Sequence, residues 1–206
     1  MLVAVLFVTC QNGDMMHSFK CGAPVLDFVG TLRARRNVVP TEMLTSPESL
    51  EAWFRESGLV DADASCEPSD LEQAIVLREA IYLLVVATLA GDDYDAGALE
   101  LVNDTARMPS AVPQLTQRRR RRVEATPQQA LSSIARQTVQ LLGGPDAALL
   151  KECSRGECTQ VYLDRSHGSR REWCAMDPCG NRIKAAAYRA RKRTEARSDS
   201  PVRSGR

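Results

Sequence analysis

Apolar positions recur at helical spacing in four stretches of the chain, each opened by a capping signal. Ser46-Pro47-Glu48 precedes Leu50, Trp53 and Phe54, with Gly58 beyond them. The serine caps, the proline suits the first helical position, and the spacing predicts one amphipathic helix. Ser69 and Glu72 are spaced as a capping box ahead of Leu71, Ile75, Leu77, Ile81, Leu84, Val85 and Leu89, with Gly91 as the stop. This is the longest predicted helix and the expected centre of the body. Asp95 is placed to cap a third helix through Leu99, Leu101 and Val102 that ends before Pro109. Thr126, Pro127 and Gln129 repeat the capping logic for a fourth, carrying Leu131, Ile134, Val139 and Leu142 before Gly143-Gly144-Pro145. A further apolar segment, Val25, Phe28, Val29 and Leu32, fits one helix face and runs into Arg33, Arg35 and Arg36. Asp27 lies beside that face, as packed polar residue or ligand contact.

Two apolar runs invite a membrane reading. Met1 to Cys10 lacks a basic leader and a small-residue cleavage site, and Ala80 to Ala90 is too short to span a bilayer. We expect translation to start at Met15 or Met16, no membrane association, and a cytoplasmic protein.

Charge changes the picture. The 206 residues carry 27 Lys and Arg against 26 Asp and Glu, a near balance that conceals two unlike regions. Residues 1–150 hold 13 basic and 19 acidic side chains, and residues 151–206 hold 14 and 7. An acidic body joined to a basic end points to a polyanionic partner for that end, nucleic acid first. Arg118 to Arg122 interrupt the acidic body with five consecutive arginines, which form either a solvated loop or exposed strand, or a phosphate-binding patch.

Four of the seven cysteines fall in the basic end, as Cys153-x4-Cys158 and Cys174-x4-Cys179 separated by 15 residues. Paired knuckles at this spacing suit one structural zinc ion, because four thiolates complete a tetrahedron and leave no site for water. Cys10, Cys21 and Cys66 are read as free or buried thiols, and His167 as a polar turn residue. Thr159 to Asp164 and Arg170 to Cys174 flank a Ser- and Gly-rich turn and predict a β-hairpin. Asp177 and Pro178 then offer a cap and first position for a helix bearing Cys179. The whole predicts an α+β chain: a mainly helical N-terminal domain with a small C-terminal treble-clef-like zinc finger. With zinc as its core, the finger is expected to unfold on metal loss while the body is largely spared.

The predicted last helix separates its faces. Ile183, Ala187 and Ala190 share one side; Arg182, Ala186, Arg189 and Arg193 form a second stripe flanked by Lys184, Arg191 and Lys192. Arg182, Lys184, Arg189, Arg191, Lys192 and Arg193 are the candidate DNA contacts, with a solvated basic helix or a protein-docking surface as the other readings. No nucleophile–base pair or phosphate-binding glycine loop marks an enzyme, and no catalytic residue is assigned.

Cys153 to Arg193, with Asp164, Ser169-Arg170-Arg171, Trp173-Cys174-Ala175-Met176 and Cys179-Gly180-Asn181-Arg182, resembles the CGNR zinc-finger family of bacterial proteins. Upstream, Gly22 to Thr31 and Leu77-Arg78-Glu79-Ala80 resemble the ABATE domain that precedes this finger. The resemblance implies a stress-induced transcription regulator whose N-terminal domain senses a small-molecule or protein effector and whose finger binds DNA. Carried over by position, the ligands are the same four cysteines. Gly30, where many relatives have Asn, and the arginine run depart from the family pattern. Locally, Gly180 suits tight packing at the metal, Asn181 a hydrogen bond to the knuckle, and Arg182 either a structural or a phosphate contact.

The expected organisation is an extraneous or disordered segment over 1–15, an ABATE-like sensing domain over 16–150, a CGNR finger over 151–195 and a disordered basic tail over 196–206. The expected function is zinc-dependent DNA-binding transcription regulation, with a homodimer as one means of lengthening a short site. The alternative is a zinc-stabilised module docking on an acidic protein such as part of the transcription machinery.

Overall fold

The computed structural model describes residues 16–61 and 64–198. The expected extraneous segment, Cys10 and the end of the tail therefore lie outside the described residues. Helices α1 (Pro24–Val29), α2 (Pro47–Glu56), α3 (Pro68–Ala90), α4 (Ala96–Arg107) and α5 (Pro127–Leu142) build the body. Short antiparallel pairs join them: β1 (Leu32–Arg33) with β2 (Thr41–Glu42), and β3 (Gln114–Leu115) with β4 (Arg121–Arg122). A single turn, Pro145–Leu149, leads to β5 (Leu150–Glu152), which pairs with β6 (Val161–Leu163), and the long α6 (Asn181–Ser198) closes the described chain.

The capping signals place most helix starts. Ser46 and Ser49 form the reciprocal box of α2, Asp95 caps α4 through the Ala98 N–H, and Thr126 with Gln129 caps α5. At α3 the expected box at Ser69 is displaced by two residues: the Asp70 carboxylate accepts the Glu67 N–H at 2.8 Å with Pro68 between them. Asp70 also receives Gln128 Nε2, so one carboxylate serves the starts of α3 and α5. The segment before Arg33 is helical only to Val29, since Leu32 and Arg33 enter β1.

Helix α3 runs through the body and packs on α1, α2, α4 and α5. Trp53 is fully buried among Phe28, Phe19 and Phe54, whose ring centroids lie 5.0, 6.0 and 6.0 Å away. Beside this apolar core runs a charge network centred on the buried Arg78. Arg78 donates both terminal nitrogens to the Glu42 carboxylate at 2.6 and 2.7 Å, and its Nε to Glu79 at 2.8 Å. Arg35 grips the other side of Glu79. Paired in this way the guanidinium ties α3 to the β1–β2 hairpin, and its removal would strand the carboxylates.

The run Ala80 to Ala90 is the C-terminal part of the longer helix α3. Among the described residues it alone has the length and mean hydropathy to cross. In this fold Leu77, Ile81, Leu84 and Val85 are buried against neighbouring helices, and the charged Arg78 is buried with them. Asp27 is buried too, and accepts the backbone N–H groups of Lys20 and Cys21, both at 2.9 Å. It fastens the entry to α1, and desolvation pushes its carboxyl up to about 6.

Candidate metal centre

Each cysteine reaches the centre from a different local device. Cys153 follows β5 directly, and its N–H bonds the Gln160 carbonyl at 3.0 Å across the hairpin. The turn after it returns Cys158, whose N–H bonds the Arg155 carbonyl at 2.7 Å. Cys174 comes on the returning loop, and Cys179 sits in the wide turn Met176–Gly180 that feeds α6. All four Sγ atoms lie within 4.8 Å of one another, and those of Cys158 and Cys174 are 3.8 Å apart. A tetrahedral ZnS4 centre with Zn–S bonds of about 2.3 Å has sulfur–sulfur edges of about 3.8 Å. The donor set therefore fits one structural zinc ion, closed to water and substrate.

The electrostatics agree with that fit. A hydrogen bond from Cys174 favours the Cys158 thiolate, pulling its pKa down to about 5, while the same bond pushes Cys174 far up. Burial raises Cys153 against the pull of the Arg155 and Cys174 backbone N–H groups. Four thiolates this close repel, and a divalent cation between them offsets the repulsion. Arg155 Nη1 also points at the Cys179 sulfur at 3.7 Å, adding positive charge beside the cluster.

The strand partner predicted for Thr159 to Asp164 is corrected. β6 pairs with β5, in the register Leu150↔Leu163, Lys151↔Tyr162 and Glu152↔Val161, so the hairpin encloses the first cysteine pair. The segment Arg170 to Cys174 is occupied otherwise: the Tyr162 hydroxyl donates to the Arg171 carbonyl at 2.7 Å, and the Arg171 N–H donates to Asp164. Asp164 also takes Lys151 Nζ at 2.7 Å and the Ser166 hydroxyl at 2.6 Å. The Lys151 ammonium, then the Ser166 hydroxyl, holds its carboxyl well below the usual carboxylate range. His167 is exposed in the turn that Asp164 organises.

Gly180 is required by packing. A Cβ there would lie 2.9 Å from the Trp173 ring and 2.9 Å from the Met176 sulfur. The side chain of Asn181, expected to bond the knuckle, is exposed and makes no hydrogen bond among the described residues, while its backbone N–H donates to the Met176 and Pro178 carbonyls; Arg182 is exposed beside it. The helix starts at Asn181 rather than at Pro178, and continues through Ala196 to Ser198, residues expected in the tail. Along α6 the cations Arg182, Lys184, Arg189, Arg191, Lys192 and Arg193 are all exposed, as are Ala187 and Ala190; over residues 181–193 only Ile183 and Ala185 are half-buried.

The finger is bonded into the body. The Leu163 N–H donates to the Cys21 carbonyl at 2.8 Å, Gln160 Nε2 to the Gly30 carbonyl at 2.9 Å, and the Arg35 N–H to the Thr159 hydroxyl at 3.2 Å. Val161, Tyr162 and Leu163 belong to the same apolar cluster as Val25 and Trp53. The idea of a finger with metal as its sole core is thus corrected: three apolar side chains are buried against the body as well. Gln160 and Thr159 were not singled out in the sequence, where nothing distinguishes them from ordinary strand residues.

Two family models match. That described as "Putative stress-induced transcription regulator", ABATE, covers residues 22–145, and the CGNR zinc finger covers residues 150–192. The chain belongs to the ABATE family. A search of curated proteins finds no match. The two families are regulatory and zinc-finger types rather than enzyme families. Within the ABATE region the Leu77-Arg78-Glu79-Ala80 segment has a physical reason: Leu77 and Ala80 are buried, while Arg78 and Glu79 carry the charge network. Within the CGNR finger, the glycine seats the turn on Trp173 and the arginine faces outward.

Proposed function

We propose that this ABATE protein is a zinc-dependent, DNA-binding transcription regulator acting in the cytoplasm, with Cys153, Cys158, Cys174 and Cys179 as the zinc ligands. The observation that carries the proposal is α6, a basic helix of 18 residues that projects from the cysteine cluster with its cations exposed. At about 100° per residue, Arg182, Arg189 and Arg193 fall within an arc of about 40°, while Lys184 and Arg191 lie on the opposite side. A helix entering a major groove meets phosphates on both walls, and this two-sided placement suits them. Zinc supplies structure here: it fixes the turn from which α6 departs.

In this reading a sensing domain spans 16–150 and the finger 151–195; the family matches over 22–145 and 150–192 support a division near residue 150. The joint between them supports an effector-linked mechanism. A cleft of about 370 Å³ lies between Cys21, Gly30 and Arg33 on the body side and Gln160, Cys174 and Pro178 on the finger side. An effector, small molecule or protein segment, seated there would contact both parts and bias the placement of α6. A homodimer would double the short site that one finger offers.

The test is DNA binding by zinc-loaded protein as a function of salt. Affinity should fall steeply, and Arg189→Gln with Arg193→Gln should lower the slope by about 2. Salt-independent or absent binding overturns the proposal. The second reading, docking on an acidic protein, is favoured by Tyr188, an aromatic 55% exposed among the cations; Tyr188→Ala would then weaken protein capture while leaving DNA affinity unchanged.

A further inference from the structure

The five-arginine run is unexplained by the metal centre and by the internal packing. It forms the turn and second strand of the β3–β4 hairpin, in the register Gln114↔Arg122 and Leu115↔Arg121. The turn is built to hold its shape. Thr116 exchanges hydrogen bonds with Arg120 through both backbone and hydroxyl, at 2.9 to 3.1 Å, and Arg119 takes the left-handed conformation at φ 59°. Its base is pinned where Asp61 accepts the Val123 N–H at 2.6 Å and returns its own N–H to the Val123 carbonyl at 2.9 Å. Arg121 reaches Asp61 and the Gly58 carbonyl, and Arg122 pairs with Glu124. Arg118, Arg119 and Arg120 are exposed, and among the described residues no carboxylate lies within ion-pair distance of any of them.

Five adjacent guanidiniums repel one another, and among the described residues three of them have no carboxylate partner. Without the run, residues 1–150 would hold 8 basic side chains against 19 acidic ones, so the hairpin is a positive island on a strongly negative body. It edges an open groove of about 620 Å³ whose lining is guanidinium, the Thr116 hydroxyl, the Gln117 amide and Asp61. Among the described residues none that lines the groove is an apolar type, so it offers no apolar pocket for the anchor side chain that centres most protein interfaces. A phosphodiester backbone needs no such anchor: guanidinium forks grip phosphate oxygens in pairs, and hydroxyl and amide groups supplement them.

From this geometry we infer that the Arg118–Arg122 hairpin is a second nucleic-acid contact, a clamp for the phosphate backbone that reads no sequence. It is distinct from α6. The hairpin leads into the N-terminal end of α5 and the finger follows its C-terminal end, and a helix of 16 residues spans about 24 Å. The acidic body would otherwise repel DNA held by the finger; the hairpin gives the duplex one attractive point on that body.

The experiment uses full-length, zinc-loaded protein and a mixed-sequence DNA duplex across a salt series. The triple variant R118Q/R119Q/R120Q should lower the slope of log affinity against log salt by about 2 to 3, since each phosphate contact contributes about 0.9. Its thermal midpoint should not fall below the parent's, because the three side chains are exposed and their mutual repulsion is relieved. An unchanged slope overturns the inference. So does equal weakening of polyglutamate or anionic-vesicle binding with no selective loss of the duplex, which would make the patch a general anion surface. Comparison with R189Q/R193Q separates this inference from the finger proposal: loss only in the triple variant supports the hairpin against the finger, and loss only in the α6 variant does the reverse.

Discussion

The body and the finger are held together by different chemistry. In the body, Trp53, Phe28 and Phe54 pack in an aliphatic and aromatic core, and a charge network around the buried Arg78 bolts α3 to the β1–β2 hairpin. In the finger, the buried groups include three thiols, Thr159, the carboxylate of Asp164 and the three residues of β6. A segment this small cannot exclude enough water from its own apolar atoms to fold by that means alone. It therefore draws on two outside sources of stability: a metal ion, and the apolar face of the body against which Val161, Tyr162 and Leu163 are packed. The lesson is one of dependence. The body has a core of its own, whereas the finger's core is divided between the thiolates and its neighbour.

The strongest way to break this comparison is to remove the metal. Cys179→Ser should reduce zinc from about one ion per chain to a small fraction, with a stability loss on the order of 10 kcal/mol confined at first to the finger. Because β6 is bonded to Cys21 and shares the body's core, the thermal midpoint of the body should fall by several degrees as well. Metal analysis with near-ultraviolet circular dichroism reads both effects, and an unmoved body transition would mean that the two parts fold separately.

Next in size, Tyr162→Ala and Trp53→Ala should each cost about 3–5 kcal/mol, one from either side of the joint. If the core is continuous, denaturant melts of both variants remain single transitions with lowered midpoints. A separate early transition in the Tyr162 variant alone would sever the finger from the body thermodynamically.

Acid distinguishes the two parts in sign. Asp27 in the body is raised by burial from its ordinary 3.8 to about 6, so the folded state holds that proton more tightly. Its contribution is fully present below pH 3.8 and is lost as pH rises through 6. Asp164 in the finger is depressed by Lys151, so its contribution is present above the ordinary aspartate pKa and is lost as pH falls below it. Asp27→Asn should therefore remove on the order of 2 kcal/mol of the stability change between pH 4 and pH 7. Asp164→Asn should shift the profile the other way. Identical pH profiles for Asp27→Asn and the parent would show that Asp27 keeps its ordinary pKa.

The smallest expected effect lies at the joint. A Cβ on Gly30 would meet Gln160 Oε1 at 2.2 Å, and since that atom ends a flexible side chain, Gln160 would swing away. Gly30→Ala should lose the Gln160 bridge to the Gly30 carbonyl and cost about 1 kcal/mol, measured by denaturant midpoint. A midpoint equal to the parent's would assign the bridge no share in fastening the finger.

Local rules made much of this legible. Capping boxes at Ser46 and Thr126 and the cap at Asp95 stand where the residue types place them, because a helix start depends on groups within four residues. The arginine run gives the exposed strand and turn expected of it, since like charges seek solvent. The strand partner of β6 was misread: proximity across the Ser- and Gly-rich turn favoured Arg170 to Cys174, whereas β6 pairs with β5 and the Arg171 N–H donates to Asp164 instead. Asp27 likewise needed the fold to define its role, since the sequence shows only a polar residue beside an apolar helix face, packed or contacting a ligand. It became a brace once Lys20 and Cys21 turned their N–H groups toward it.

By itself, then, the sequence determined the helix starts, the charge division and the four-cysteine metal set, all fixed by short-range geometry or by the coordination demands of the ion. Only the tertiary structure decided that the finger is fastened to the body through Cys21, Gly30 and Arg35. Those contacts join residues more than a hundred positions apart, and no local pattern records a backbone carbonyl waiting for a distant partner.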